Sequence, residues 1–83
     1  LEGVEKSLAK IITKKSTVPT IGIGASVNCD GQILVTDDLI GLTKSKIKFV
    51  KEFSDVRKSI KDGVKRYRHA VLNKKFPNKK YSY

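Results

Sequence analysis

The run from Val18 to Ile23, with the glycines at its end, constrains the fold more than any other part of the sequence. It is short, apolar and rich in β-branched residues, a pattern typical of a strand covered on both faces in a parallel sheet. Pro19 lies near its first residue, where a missing N–H is tolerated. Ligands of parallel α/β folds bind at the carboxyl ends of the strands. We therefore predict an α/β fold whose site lies in residues 24–31.

Two amphipathic helices flank this strand in the sequence. The first is predicted from Val4 to about Lys15, and apolar residues recur on one face of it at i, i+4, i+7 and i+8: Val4, Leu8, Ile11 and Ile12. The second begins at Ser54 or Asp55 and ends at Asn73, before Pro77. Its apolar residues step by 4, 4, 3 and 4, and they are Val56, Ile60, Val64, Tyr67 and Val71.

The segment between the strand and the second helix is less regular. We predict a helix from Gly31 to about Ile40 because cap and stop signals bracket it, although residues 33–35 locally prefer strand. Gly41 is its predicted stop, and its candidate caps are Asn28 and Asp30. Ile47–Val50 is predicted as one more short strand.

Charge divides the chain into two unequal parts. Residues 1–43 carry four lysines against five acids, whereas residues 44–83 carry 14 basic side chains against three acidic ones. A strongly basic segment attracts polyanions, and its last eight residues add Phe76, Tyr81 and Tyr83. Residues 44–83 therefore suggest, as an alternative function, a small nucleic-acid-binding protein. No RNA-binding signature accompanies them, so we place this hypothesis second.

Motifs for catalysis are few. The pair Gly22 and Gly24 begins a dinucleotide fingerprint, but Val27 replaces the third glycine. Asp37 and Asp38 are predicted on a solvated helix face, since neighbours on a helix point about 100° apart. His69 lies on the basic helix and is interpreted as a surface residue.

The remaining composition bears on compartment and completeness. The single cysteine, Cys29, has no disulfide partner in the chain, which fits a reducing, cytoplasmic location. No apolar run approaches the ~20 residues that a membrane span needs. The sequence contains no methionine and begins at Leu1, so we expect it to be a fragment of a longer protein.

Several stretches of the sequence, taken in order, match one known enzyme family. They are Leu1-Glu2-Gly3-Val4, Pro19-Thr20-Ile21-Gly22-Ile23-Gly24-Ala25, Cys29-Asp30-Gly31-Gln32-Ile33-Leu34-Val35, Asp38-Leu39-Ile40-Gly41-Leu42, Lys48-Phe49-Val50 and Tyr81-Ser82-Tyr83. Together they resemble ketopantoate hydroxymethyltransferase, which is a (β/α)8 barrel enzyme of roughly three times this length. The sequence departs from the family at Ser26, Asp37 and Lys79-Lys80.

The resemblance implies that residues 1–83 form a partial barrel domain, the C-terminal third of a TIM-type barrel with about its last three strands and its C-terminal helices. Leu1-Glu2 would close the sixth strand, Val18–Ile23 would be the seventh, and Ile47–Val50 would lie near the eighth. Glu2 matches the family's proton-abstracting carboxylate. The glycine stretch, Gly22, Gly24 and Ala25, would lie near the folate donor.

The resemblance also implies the substrates and partners. The family transfers a hydroxymethyl group from 5,10-methylenetetrahydrofolate to 3-methyl-2-oxobutanoate, giving 2-dehydropantoate for pantothenate synthesis. Its Mg²⁺ ligands lie upstream of this sequence, so we expect no metal ligand in the chain itself. The family's homo-oligomer is of the decamer type. Because five strands of such a barrel are missing, we expect the chain to be inactive alone.

Overall fold

The computed structural model describes all 83 residues, Leu1–Tyr83, as an α/β chain. Its elements are, in order, helix α1 (Lys6–Lys15), strand β1 (Ile21–Gly22), strand β2 (Gly31–Gln32), helix α2 (Thr36–Leu39), helix α3 (Val56–Leu72) and a 3₁₀ helix (Lys79–Tyr81). No helix is both long enough and apolar enough to cross a membrane.

A short parallel ladder organises the first half of the chain. Strands β1 and β2 pair in parallel, with Ile21 opposite Gly31 and Gly22 opposite Gln32. On the other side of β1, Glu2 forms an isolated parallel bridge with Ile23. Three extended segments therefore lie side by side, with residues 21–23 in the middle. The sequence predicted a strand here, and the structure confirms it over its last residues.

The predicted helix from Gly31 to Ile40 is wrong. Gly31 and Gln32 pair with β1, and only Thr36–Leu39 form a helical turn. The N-cap residue of this turn is Val35, which makes no side-chain capping hydrogen bond. The strand preference of residues 33–35 is met only at Ile33, whose N–H donates to the Gly22 carbonyl. Parallel strands are usually joined by a connection of a dozen or more residues, most often a helix. Here residues 23–30 make the whole connection.

Asp30, a predicted helix cap, instead fastens this connection to the sheet. Its Oδ2 accepts hydrogen bonds from the Thr20 backbone N–H at 2.7 Å and from Thr20 Oγ1 at 3.2 Å. Asn28, the other predicted cap, lies in a turn in which its own N–H donates to Ser26 Oγ at 3.1 Å. Both polar side chains therefore satisfy turn and strand-end groups, and neither is available to a helix.

The predicted strand Ile47–Val50 is also wrong. The Val50 N–H donates to the Ile47 carbonyl at 3.0 Å, which closes a turn. Lys46 and Lys48 alternate with the apolar residues here and do not pair with any strand. Gly41, by contrast, follows α2 with a φ of +73° and ends it as predicted.

Both long helices are confirmed, and carboxylates cap them. Helix α3 has Asp55 as its N-cap, where Oδ1 accepts from the Lys58 N–H at 3.2 Å, and it ends at Asn73. Helix α1 has Glu5 as its N-cap, and Oε2 accepts from the N–H groups of Ser7 and Leu8, both at 3.0 Å. Capping carboxylates satisfy donors that have no partner within a helix.

The chain has almost no core of its own. Its radius of gyration is 21.5 Å and its extents are 66 × 25 × 12 Å, whereas a compact domain of this length has a radius of gyration of about 12 Å. Only six residues are buried, and no large side chain is fully buried. The apolar stripe predicted for α3 exists, but Ile60, Val64 and Tyr67 are all more than half exposed.

The Glu5 cap generates a prediction about pH. The backbone N–H of Ser7, and then that of Leu8, lowers the pKa of the Glu5 carboxyl below its ordinary value of 4.5. Because this pKa is lower in the folded chain, the stabilisation is fully present above pH 4.5 and is lost as the pH falls through the lowered value. We expect the first turn of α1 to fray in that range, measured by NMR as faster exchange of the Ser7 and Leu8 amides.

The matched variants for this prediction are Glu5→Gln and Asp62→Asn. Glu5→Gln removes the charge from the cap, so the acid-dependent step should disappear. Asp62→Asn removes an exposed carboxylate from α3 and should leave the step in place. Persistence of the step in Glu5→Gln would contradict the assignment.

Candidate functional site

The candidate site lies where the three extended segments end. The Gly3 N–H donates to the Ile23 carbonyl at 2.9 Å, and the Ile23 N–H donates to the Leu1 carbonyl at 2.9 Å. These bonds fix Glu2 directly beside Ile23 at the carboxyl end of β1. Paired residues of parallel strands present their side chains to the same face of a sheet. Glu2 therefore shares a face with Ile23, and by alternation with Ile21.

The opposite face of the ladder is covered by helix α1. Thr13 Oγ1 on this helix lies 2.7 Å from Thr20 Oγ1, and Thr20 alternates with Ile21 along the strand. Ala9, on the same helix, is fully buried. Glu2 consequently lies on the face that carries no helix. Its side chain is exposed, and Ile21 on the same face is 57% exposed.

The predicted glycine stretch divides into two environments. A Cβ on Gly22 would lie 3.0 Å from Cys29 Sγ and 3.5 Å from the Ala25 Cβ, so Cys29 and Ala25 both pack against Gly22 within the chain. Gly24 has a φ of +61°, and a Cβ there would collide with the Phe49 ring. Of the three predicted residues, only Gly24 borders open space, and it does so together with Ile23.

That space is an open pocket of about 370 Å³, which we call the strand-end pocket. Its walls are six apolar side chains, Ile23, Ile33, Leu34, Leu39, Phe49 and Phe53, and it is completed by Gly24, Gln32 and Lys51. The sequence did not predict a role for Phe49, Lys51 or Phe53. The available signal was the presence of two phenylalanines in a lysine-rich segment outside the helices, where no periodicity explains them.

Hydrogen bonds hold the connection that borders this pocket. Gln32 Nε2 donates to the Ser26 carbonyl at 2.7 Å, and the Cys29 N–H donates to the same carbonyl at 3.1 Å. Ser26 and Cys29 are both buried. Small side chains here let residues 23–30 lie directly on the sheet, so no crossover helix is needed at this point.

The other candidate residues lie apart from one another. No group of three or more His, Cys, Asp or Glu side chains comes together in a way that could hold a metal ion. Asp37 and Asp38 lie in the first turn of α2, where acids suit the helix dipole. His69 is exposed in the last turn of α3. Cys29 is a free, buried thiol packed against Gly22.

The aromatic residues near the C-terminus contact one another. The rings of Tyr67 and Phe76 pack edge to face at 5.7 Å, and those of Phe76 and Tyr81 lie 5.8 Å apart. Phe76 thus lies between two tyrosines that belong to the same chain. The structure adds no observation that favours the nucleic-acid hypothesis for residues 44–83.

Glu2 and the strand-end pocket both lie at the carboxyl end of a parallel ladder in an α/β chain, the place where ligands of parallel α/β folds bind. The sequence model of the family described as "Ketopantoate hydroxymethyltransferase" matches residues 1–79. The chain belongs to the ketopantoate hydroxymethyltransferase family, which confirms the resemblance seen in the sequence.

Three relatives illustrate the match. The 3-methyl-2-oxobutanoate hydroxymethyltransferase of Pelagibacter ubique is 61% identical over 83 residues, which is 100% of this chain and 32% of that protein. The enzyme of the same name from Desulforapulum autotrophicum is 49% identical over 84 residues, with the same shares covered. That from Mesorhizobium japonicum is 49% identical over 78 residues, which is 93% of this chain and 27% of that protein. The chain spans about a third of the length of the relatives it matches.

The contact between Gly24 and Phe49 generates a second prediction. Gly24→Ala adds a Cβ where the Phe49 ring lies and places a side chain at positive φ, a conformation that costs about 1–2 kcal/mol. The Gly3 and Ile33 amides, which bond on either side of this strand end, should exchange with solvent at least about tenfold faster. Hydrogen exchange followed by NMR measures this directly.

The control for this substitution is Gly63→Ala in helix α3. A Cβ at Gly63 meets nothing within 4 Å, and alanine in a helix interior is better than glycine by about 0.5–1 kcal/mol. The control should therefore leave the ladder amides unchanged and make α3 slightly more stable. Equal acceleration of the ladder amides in both variants would show that the Phe49 contact is not responsible.

Proposed function

We propose that this chain provides one wall of the active centre of a ketopantoate hydroxymethyltransferase, with Glu2 as the proton acceptor. One observation carries the proposal: Glu2 lies beside Ile23 at the carboxyl end of a parallel ladder, on the face that carries no helix. Barrel enzymes place their catalytic groups at these strand ends, and the helix-free face of a barrel strand is the inner one.

The proposal includes a place in the barrel. Residues 1–83 would form a partial (β/α)8 domain, its C-terminal third, with Leu1–Gly3, β1 and β2 as three successive parallel strands. The register between these segments supports this assignment. The eighth strand then begins at Gly31, earlier in the chain than the sequence suggested. The remaining strands of the barrel, and any assembly into a decamer-type homo-oligomer, lie outside the chain.

In the proposed reaction, Glu2 carries out one proton transfer. In 3-methyl-2-oxobutanoate the carbon that carries the methyl groups lies next to a ketone, so loss of its proton gives an enolate. The Glu2 carboxylate takes this proton, and the electron pair of the C–H bond becomes the nucleophile. The nucleophilic carbon then bonds to the methylene carbon of 5,10-methylenetetrahydrofolate. The two carbon–nitrogen bonds of that methylene are replaced by this carbon–carbon bond and by a carbon–oxygen bond from water. The proton taken by Glu2 and one proton of the water pass to the two nitrogens that leave.

The proposal places the Mg²⁺ ligands of the enzyme outside this chain. Mg²⁺ takes near-octahedral oxygen ligands, and the structure brings together no group of three or more His, Cys, Asp or Glu side chains. No step is therefore assigned to a metal through the residues of this chain. Their contribution is the carboxylate of Glu2 and the shape of the strand-end pocket.

A chimera tests the role of Glu2. In it, this chain replaces the segment of the Pelagibacter ubique relative to which it aligns over all 83 residues. We expect the chimera to transfer the hydroxymethyl group, and Glu2→Gln to lower kcat by about 10²–10⁴-fold with little change in KM for the keto acid, because positioned bases contribute rate enhancements of that size. Asp37→Asn, an exposed carboxylate elsewhere, should retain activity. Full activity of Glu2→Gln would eliminate Glu2 as the base.

The same assay tests whether the chain is active alone. A barrel with its remaining strands absent cannot close, and the face with Glu2 and Ile21 stays open to water. We expect no turnover of 3-methyl-2-oxobutanoate by the 83-residue chain under conditions where the chimera is active, with Mg²⁺ and the folate donor supplied to both. Appreciable turnover by the chain alone would overturn this expectation.

A further inference from the structure

We propose that the strand-end pocket binds the ring system of the folate donor, and that Lys51 binds the donor's carboxylate tail. This inference rests on the proposed function and adds to it the residues that select the donor. The ligand chemistry it specifies is a flat heteroaromatic ring joined to a chain of carboxylates. Gly24, which the sequence associated with the donor, lines this pocket, and Phe49, Lys51 and Phe53 are additional to that prediction.

The aromatic walls of the pocket are held in place by the backbone. The Phe49 ring occupies the space that a side chain at residue 24 would need. The Phe53 N–H donates to the Leu39 carbonyl at 2.7 Å, and Ser54 Oγ donates to the Ile40 carbonyl at 2.9 Å. The segment that carries Phe53 is therefore fastened to the end of α2, and the pocket is formed before a ligand arrives.

Phe53 offers exposed ring surface to such a ligand. Its side chain is 65% exposed although it borders an apolar pocket, and Lys51 Nζ lies over the ring. Flat heteroaromatic rings stack favourably on exposed aromatic side chains. The keto acid, which has no ring and only a short aliphatic chain, cannot use this face.

The charges around the pocket match an anionic tail. Lys51 lines the pocket, and its Nζ lies 5.0 Å from the centre of the Phe53 ring. Three further lysines precede it in the same segment: Lys44, Lys46 and Lys48. Glu52, its neighbour in the sequence, lies 3.9 Å from Arg57, and no acid forms an ion pair with Lys51. A second copy of this chain, with its net charge of +10, would be repelled here, whereas a carboxylate tail is attracted.

The pocket is also adjacent to the proposed base. Ile23 is the bridge partner of Glu2 and at the same time a wall of the pocket. A donor ring held there would bring its one-carbon unit to the strand end at which the enolate forms. The keto acid at Glu2 and the folate donor in the pocket would thus be separated by one residue of the central strand, Ile23.

The test measures KM separately for the two substrates in the active chimera. Lys51→Met removes the charge and keeps the length of the side chain, and Phe53→Leu keeps an apolar side chain and removes the flat face. We expect each to raise KM for the folate donor about fivefold, with KM for the keto acid changed less than twofold. Lys65→Met on α3 makes the same change of charge away from the pocket and should alter neither constant.

Two further measurements distinguish a failure of this inference from a failure of the proposed function. If both variants lower the melting temperature of the chimera and leave KM for the donor unchanged, the pocket is a packing surface for the rest of the protein, and the inference is wrong. If the chimera is inactive, the proposed function fails, and NMR titration of the 83-residue chain with tetrahydrofolate bearing one or three glutamates decides the inference. Saturable shifts at Lys51 and Phe53 that are stronger with three glutamates and are lost in Lys51→Met support it, and their absence overturns it.

Discussion

The hydrogen-bonded ladder around Ile23 is the interaction on which the rest of the structure depends. Ile23 exchanges backbone hydrogen bonds with Leu1 and Gly3 on one side, while Gly22 accepts from Ile33 on the other. Buried parallel strands need neighbours on both edges, and residues 21–23 have them. The ladder positions Glu2, orients the helix-free face and fixes where the connection to β2 begins. Glycine at positions 22 and 24 makes this possible, because Cys29 and Phe49 occupy the space that side chains there would need.

The ladder also explains why so little of the chain is buried. A sheet of three short segments has two faces, and helix α1 covers only one of them. The other face, and the apolar stripe of α3, remain exposed, with Ile21 at 57% and Val64 at 60%. Folding costs roughly 1–2 kcal/mol per residue in backbone entropy, and six buried residues offset little of it. A three-segment sheet with one bare face resembles a single layer of an α/β structure, and the chain covers 32% of the length of the Pelagibacter ubique relative.

The sequence predicted the elements whose signals are local. Periodicity and capping residues placed α1 and α3 almost to the residue, since Asp55 and Asn73 act at the ends of α3 as expected. The prediction from the sequence failed where tertiary contacts override local signals. Gly31 pairs with Ile21 in the ladder, whereas the cap and stop signals around residues 31–40 favoured a helix there. The roles of Glu2 and Gly24 were expected from the family resemblance and stay predictions. The pocket wall at Phe49 depends on a contact between residues 25 positions apart, which no pattern in the sequence encodes.

Gly24 lies between the two parts of the proposed active centre, which are Glu2 and the strand-end pocket. A change in one part therefore affects the other. Ile23, the neighbour of Gly24, holds Glu2 through the ladder, and the lack of a side chain at Gly24 admits Phe49 to the pocket. A displacement of the Phe49 ring would therefore act on the strand end that carries Glu2, and a shift of the ladder would act on the pocket. In the proposed enzyme, Gly24 thus sets both the position of the base Glu2 and the shape of the strand-end pocket, and neither can be changed without the other.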